Sequence, residues 1–146
     1  MIFSQLFVSA VQCSLNSVLQ VTLNGRPGLA VSGGVRGTTN TTIPLTSVEF
    51  YDVTSGQWVS LPGLEAGRHS HSMMVEEGRL RVVGGIMAGQ KYLRDMETFD
   101  GKKWVRDRRG LRTGRKGFSL VKIPADRFRK MSVKSKRVPR RNKISV

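Results

Sequence analysis

An internal repeat of roughly 47 residues constrains the fold of this chain more than any other feature. The landmarks recur in the same order: a glycine doublet, a Glu-x-aromatic-Asp segment, a tryptophan and then an arginine that follows a glycine. Matching landmarks are separated by 46 to 51 residues. Four landmarks in register indicate a duplicated unit, and both copies must therefore fold in the same way.

Each copy is predicted to form short antiparallel strands. Segments such as HSMMV, LRVV, METF and KWV are apolar or alternating and are bounded by turn residues. Asn24-Gly25, Glu77-Gly78 and Asp100-Gly101 predict two-residue hairpins, because both turn positions require positive φ. The segment DVTSGQ predicts a longer turn, and no stretch has helical periodicity. We therefore expect an all-β fold with two four-stranded antiparallel meanders.

The repeated residues resemble the kelch repeat, which forms one four-stranded blade of a β-propeller. In the first copy the motif positions are Gly33, Gly34, Glu49, Tyr51, Asp52, Trp58 and Arg68. In the second copy they are Gly84, Gly85, Glu97, Phe99, Asp100, Trp104 and Arg115. The resemblance implies a partial kelch-type β-propeller in which these residues are scaffold, because glycines permit close backbone approach and aromatic rings pack between blades.

The resemblance divides the chain into five parts. We expect an apolar N-terminal segment over 1–14, blade 1 over 15–62, blade 2 over 63–110, the remnant first strand of a third blade within 111–123, and a disordered basic tail over 124–146. Propellers usually close with four to eight blades, so two blades leave edges open. The alternatives are a truncated gene product, self-association through open blade edges, and poor folding of the isolated chain.

The net charge of +15 comes from the end of the chain. Residues 1–100 hold seven Lys or Arg against eight Asp or Glu, whereas residues 101–146 hold 18 against two. Little apolar content and high charge predict disorder for the tail. A tail of this kind suits weak, salt-dependent binding to nucleic acid or an anionic surface, which is one alternative function.

Binding of a protein partner is the function that the pattern favours. The loops Val35–Thr46 and Ile86–Tyr92 should emerge at the same end of the sheets as Pro62–Gly67 and Arg106–Gly114, and loops on a rigid scaffold commonly carry recognition. Their cations predict docking of an acidic protein segment: Arg36, Lys91, Arg106, Arg108, Arg109 and Arg112. We expect a non-enzymatic protein–protein interaction module without a cofactor.

Candidate metal ligands are few. His69 and His71 should share one face of a strand, but no third histidine or carboxylate lies close in the unit, so no metal site is predicted. The kelch resemblance implies a further alternative, because copper radical oxidases such as galactose oxidase also use this type of propeller. Their site needs two His, two Tyr and a Cys, which here would be His69, His71, Tyr51, Tyr92 and Cys13.

The sequence predicts no membrane span, because no apolar run approaches the roughly 18 residues that a membrane helix needs. The compartment stays open. The apolar start and the glycosylation sequon at Asn40 would suit secretion, whereas the basic tail favours the cytoplasm or nucleus.

Overall fold

The computed structural model describes residues 16–38, 41–107 and 110–123. The predictions for the N-terminal segment, the basic tail, Cys13, Asn40, Arg108 and Arg109 fall outside these residues. The first repeat contains β1 Ser17–Leu23, β2 Arg26–Ser32, β3 Val35–Thr38, β4 Thr41–Pro44, β5 Val48–Asp52 and β6 Gln57–Leu61. The second contains β7 Ser72–Glu76, β8 Arg79–Val83, β9 Ile86–Met87, β10 Lys91–Tyr92, β11 Met96–Phe99 and β12 Trp104–Asp107, with a 3-10 turn over Ala88–Gln90.

Two four-stranded antiparallel sheets have the same topology. The first sheet has the order β1-β2-β5-β6 and the second, taken from β7, the order β7-β8-β11-β12. A small hairpin is inserted between the second and third strands of each sheet, β3–β4 in the first and β9–β10 in the second. The all-β prediction with two four-stranded antiparallel sheets is therefore confirmed, and the predicted loops at 35–46 and 86–92 contain short strands of their own.

The first hairpin of each sheet has the predicted turn. Asn24 and Gly25 have φ of 51° and 77°, and Glu77 and Gly78 have φ of 51° and 72°. Two consecutive residues with positive φ match the right-handed twist of the flanking strands. The turn chemistry therefore fixes the register of both hairpins.

The prediction of a two-residue hairpin at Asp100-Gly101 is wrong. Phe99 pairs with Trp104, so four residues connect the strands. The Asp100 carboxylate accepts hydrogen bonds from the backbone amides of Lys102 and Lys103, both at 2.8 Å. An aspartate that caps its own turn in this way stabilises the longer connection.

The hydrophobic core lies between the two sheets. Along β5, Val48, Phe50 and Asp52 are buried and alternate with the half-buried Glu49 and Tyr51, as expected for a strand with one face on the core. The core cluster joins side chains of both sheets and of the segment between them: Val21, Ala30, Val48, Phe50, Leu64, Met73, Leu80, Val82 and Trp104. The strand register places Glu49, Tyr51 and Trp58 on the opposite face of the first sheet, which points away from the second.

One face of the second sheet points away from the first sheet. It is more polar than the equivalent face of the first sheet, which lies on the core. By the repeat, Arg81, Thr98 and Asp107 stand where the first sheet has Ala30, Phe50 and Leu61. Arg81 also forms an ion pair with Glu76 across this face.

The segment that follows the first sheet is held by backbone hydrogen bonds. The Leu64 amide donates to the Thr46 carbonyl at 2.8 Å, and the Arg68 amide donates to the Leu45 carbonyl at 3.1 Å. The Gly34 amide in turn donates to the Arg68 carbonyl at 2.9 Å. These bonds satisfy the polar backbone of a segment that crosses from one sheet to the next.

The segment that follows the second sheet repeats these bonds. The Leu111 amide donates to the Arg94 carbonyl at 2.7 Å, and the Arg115 amide donates to the Leu93 carbonyl at 3.1 Å. The Gly85 amide donates to the Arg115 carbonyl at 2.7 Å. Residues 110–115 therefore adopt the hydrogen-bonding pattern of residues 63–68.

Gly33 explains why each second strand ends in a glycine doublet. Its φ is 57°, and a Cβ at this position would overlap the carbonyl oxygen of Arg68. Only glycine combines a left-handed backbone with so close an approach to a neighbouring chain segment.

The strand predicted over Gly117–Ile123 is not formed. Gly117 has a φ of 60°, which matches the φ of 52° at Ser70, the residue two before β7. A strand needs a neighbour for its backbone hydrogen bonds, and no described strand pairs with 119–123 as β8 pairs with β7. Within the three described ranges, no helix has the length and apolarity required to cross a membrane.

Candidate functional site

The inserted hairpins lie at the same end of the two sheets, which we call the hairpin end. Ser32, the last residue of β2, pairs with Val48, the first residue of β5, and Val83 of β8 pairs with Met96 of β11. The chain therefore leaves and re-enters both sheets at one end. A bridge between His69 and Ile86 brings the segment before β7 against the second hairpin.

Three of the predicted binding cations are exposed at the hairpin end. Arg36 lies on β3, Lys91 on β10, and Arg112 in the segment after β12. Arg106 differs from the prediction, since it lies within β12 and forms an ion pair with Asp95. The Asp95 carboxylate accepts a hydrogen bond from the Arg106 Nε at 2.5 Å, so this guanidinium already has a partner within the protein.

Sequence reasoning missed further cations at this end. Arg94, Arg115 and Lys116 are exposed there, and the Lys116 Nζ lies 5.7 Å from the centroid of the half-exposed Tyr92 ring. A cation over an aromatic face is attracted by the ring. The repeat could have indicated these cations, because residues 110–116 align with a segment that lies at the hairpin end in the first repeat.

A buried arginine fixes the floor of the hairpin end. Arg68 is 0% exposed, and its Nη2 donates to Glu97 Oε1 at 2.5 Å. Its Nη1 donates to the Gly84 carbonyl at 3.1 Å and to Asp95 Oδ1 at 3.4 Å. Arg68 follows the first sheet, whereas its partners belong to the second, so the arginine ties the two sheets together.

The Glu97 carboxylate accepts bonds from more than one side. The backbone amide of Glu65 donates to Oε2 at 2.7 Å, and the amide of Ala66 donates to Oε1 at 3.2 Å. Together with Arg68, these donors satisfy a carboxylate that is 0% exposed. A buried charge needs such a set of partners. The connection between the sheets is therefore rigid beneath the exposed cations.

Ser32 and His71 form a buried hydrogen bond of 2.8 Å between Oγ and Nε2. The Ser32 Oγ also lies 3.8 Å from the sulfur of Met73. Burial, followed by the charges of Arg68 and His69, lowers the pKa of His71 to about 3. The residue types match a nucleophile and its base, but Ser32 is 1% exposed and the contact belongs to the packing between the sheets.

The two histidines do not share a strand face as predicted. β7 begins only at Ser72, and Ser70 between the histidines has a φ of 52°. This left-handed residue breaks the alternation of an extended strand. His69 Nδ1 lies 3.0 Å from Ser70 Oγ, and burial together with the charge of Lys116 lowers the pKa of His69.

The ligand set of a copper radical oxidase is not assembled by the described residues. Tyr51 lies on the outer face of the first sheet, where its ring centroid is 5.2 Å from that of Trp58. His71 bonds to Ser32, which lies on the opposite face of that sheet. Among the described residues, no group of three or more His, Cys, Asp or Glu could hold a metal ion. The described histidine and tyrosine residues therefore do not fit this copper site.

A cleft of about 610 Å³ opens between the sheets at the end opposite the hairpins. Its walls combine apolar side chains with four charged residues: Arg26, Asp52, Arg79 and Asp100. Burial alone would raise the pKa of Asp52, but backbone hydrogen bonds from Thr54 and Ser55 and the charge of Arg26 bring it below its ordinary value. The cleft contains none of the predicted binding cations.

Comparison with known proteins identifies the shape and not the family. No protein-family model matches the sequence, and no curated protein matches it. Among the solved structures that match, one described as the structure of YjhT is 18% identical, with a TM-score of 0.58. The match covers 72% of this chain and 40% of the other, so the chain spans less than half the length of that protein. The likeness concerns the fold alone.

Proposed function

We propose that this chain is part of a kelch-type β-propeller and acts as a non-enzymatic interaction module that binds an acidic segment of a partner protein. Two successive four-stranded antiparallel sheets of identical topology support the propeller. The glycine doublets, the Tyr51–Trp58 and Phe99–Trp104 pairs and the arginine after each sheet support the kelch type. Self-association is a separate proposal, given below.

The observation that carries the function is the charge of the hairpin end. Among the described residues there, one acidic residue is exposed, Glu65. Besides Arg106, which pairs with Asp95, six cations are exposed: Arg36, Lys91, Arg94, Arg112, Arg115 and Lys116. A surface of one sign attracts segments of the opposite sign and accelerates their encounter.

The scaffold favours binding without rearrangement. Arg36 and Lys91 lie on hairpins whose strands are paired, and Arg112 lies within a segment held by backbone hydrogen bonds to Arg94 and Leu93. Cations placed on ordered backbone lose little entropy when they pair with a carboxylate. Because the pairs would be solvent-exposed, we expect affinity to fall as salt is added.

The test compares two variants of the full chain with equal net charge. One carries Arg36→Glu, Lys91→Glu and Arg112→Glu at the hairpin end. The control carries Arg79→Glu, Lys102→Glu and Lys103→Glu, which are exposed at the opposite end. Binding of fluorescent poly-glutamate, followed by anisotropy, should weaken about tenfold or more in the first variant only.

Equal weakening in both variants would contradict the proposal, because it would show that net charge alone governs binding. The alternative is a polyanion binder driven by the basic tail, which is favoured by the 18 cations in residues 101–146. In that case both variants should keep most of their affinity, and single-stranded nucleic acid should compete with poly-glutamate.

A further inference from the structure

Residues 110–115, which we call the arm, are shaped like a segment that docks on a neighbouring sheet. In the first repeat, residues 63–68 lay Leu64, Ala66 and Arg68 against the second sheet, and all three side chains are buried. The arm has the same backbone hydrogen bonds, as described above. Its equivalent positions are Leu111, which is half-buried, and the exposed Thr113 and Arg115. The arm therefore presents a docking conformation with its key side chain in solvent.

The matching surface exists on the same molecule, at the opposite side. The second sheet receives residues 63–68 on the face that carries Glu97, Phe99 and Trp104. The first sheet carries Glu49, Tyr51 and Trp58 at the equivalent positions, on the face that points away from the second sheet. We call this the outer face. Its aromatic centroids are 5.2 Å apart, against 5.4 Å for Phe99 and Trp104, so the spacing of the aromatic pair is reproduced.

We propose that the arm of one copy docks on the outer face of a second copy, with Arg115 reaching Glu49 as Arg68 reaches Glu97. The occupant is another copy of this chain, because one chain carries both the arm and its complement at positions that cannot meet within it. Glu97 accepts from Arg68 and from two backbone amides together, so a carboxylate at this register takes an arginine in addition to other partners.

The contact is heterologous, since different surfaces of the two copies meet. Such a contact generates either a closed ring or an open array, depending on the rotation between copies. The face of the second sheet that points away from the first carries polar residues. These limit the apolar area that would be buried, so we expect reversible association. The net charge of +15 opposes it, and this repulsion is screened at physiological ionic strength.

Sedimentation velocity of the full chain at physiological salt and increasing concentration tests the proposal. The wild-type chain should associate, and Arg115→Glu and Glu49→Arg should each raise the dissociation constant about tenfold or more. Lys103→Glu is the control, because it changes the net charge equally and Lys103 is exposed at the end of the sheets opposite the arm. It should leave the dissociation constant unchanged.

An equimolar mixture of Arg115→Glu and Glu49→Arg chains gives the sharpest result. Both junctions of the mixture are complementary, since the reversed arm of the first variant meets the reversed face of the second and the native Arg115 of the second meets the native Glu49 of the first. The mixture should therefore associate like wild type, with the two variants in equal numbers, although each variant alone associates weakly. Glu49→Gln, with circular dichroism as the folding check, replaces Glu49→Arg if that variant unfolds, and it should also weaken association. A wild-type chain that stays monomeric, or an Arg115→Glu chain that associates like wild type, overturns the proposal. The test uses no acidic ligand, so its outcome is independent of the proposed function.

Discussion

Replacement of Arg68 by methionine should destabilise the protein more than any other change of a charged residue described here. The side chain is 0% exposed and joins the first repeat to Glu97, Asp95 and the Gly84 carbonyl of the second. Methionine keeps most of the volume but donates no hydrogen bond. The variant therefore leaves a buried carboxylate without its counter-charge.

The magnitude follows from the partners that remain. Breaking a buried ion pair by removal of one member costs about 3–5 kcal/mol, because the other charge stays buried. Asp95 keeps Arg106, and Glu97 keeps the two backbone amides, so we expect the lower part of this range. Domains of this kind are stable by about 5–15 kcal/mol, and the loss is therefore a large fraction of the total.

Urea denaturation at low protein concentration, followed by far-UV circular dichroism, measures the effect. Arg115→Met is the matched control, because Arg115 has the same backbone hydrogen bonds but an exposed side chain, and it should change stability by less than about 0.5 kcal/mol. In Arg68→Met, adding Glu97→Gln should recover part of the loss. A loss below about 1 kcal/mol for Arg68→Met, or an equal loss for Arg115→Met, would refute the reasoning.

Three further outcomes are expected from denaturation followed by circular dichroism. Gly33→Ala should cost about 2–5 kcal/mol, because it adds a backbone clash to a positive φ, whereas Gly25→Ala meets no atom within 4 Å and should cost about 1–2 kcal/mol; equal costs would contradict this account. His71 has its pKa lowered from 6.5 to about 3, so the unfolded chain binds more protons in between and stability should fall as pH drops below 6.5. The slope of the free energy of unfolding against pH should approach ~1.4 kcal/mol per pH unit and should diminish in His71→Gln. An unchanged slope in that variant would count against the role of His71. Trp104→Ala should cost about 3–5 kcal/mol and Trp58→Ala clearly less, because Trp104 is 2% exposed and Trp58 is half-buried; the reverse order would be inconsistent with the packing.

The sequence allowed the strands to be predicted where periodicity and turn chemistry agreed. VEFYD alternates, and the structure buries Val48 and Phe50 on one face of β5. Asn24-Gly25 fixed its hairpin because glycine and asparagine tolerate positive φ. The Asp100 turn was missed, because a side chain that caps its own backbone competes with the two-residue turn.

The candidate site was predicted less completely. Arg68 and Arg115 occupy the same motif position, yet one is buried and the other exposed. Burial depends on whether another sheet lies beyond the arginine, and no local pattern contains that information. Ser70 has a positive φ, which is uncommon for a residue other than glycine. The prediction that His69 and His71 share a strand face was therefore wrong. The Ser32–His71 contact joins residues 39 positions apart and had no local signal.

The segment that follows each sheet is held largely by backbone hydrogen bonds, and this has a consequence for how the chain can diverge. Carbonyls of Leu45, Thr46, Leu93 and Arg94 accept the bonds, and the identity of their side chains hardly matters to a main-chain acceptor. Substitutions can therefore accumulate at these positions while the shape persists, provided that the glycines remain. A fold held in this way can accordingly be shared by chains of low sequence identity, and the likeness to YjhT, with 18% identity and a TM-score of 0.58, is a likeness of that kind.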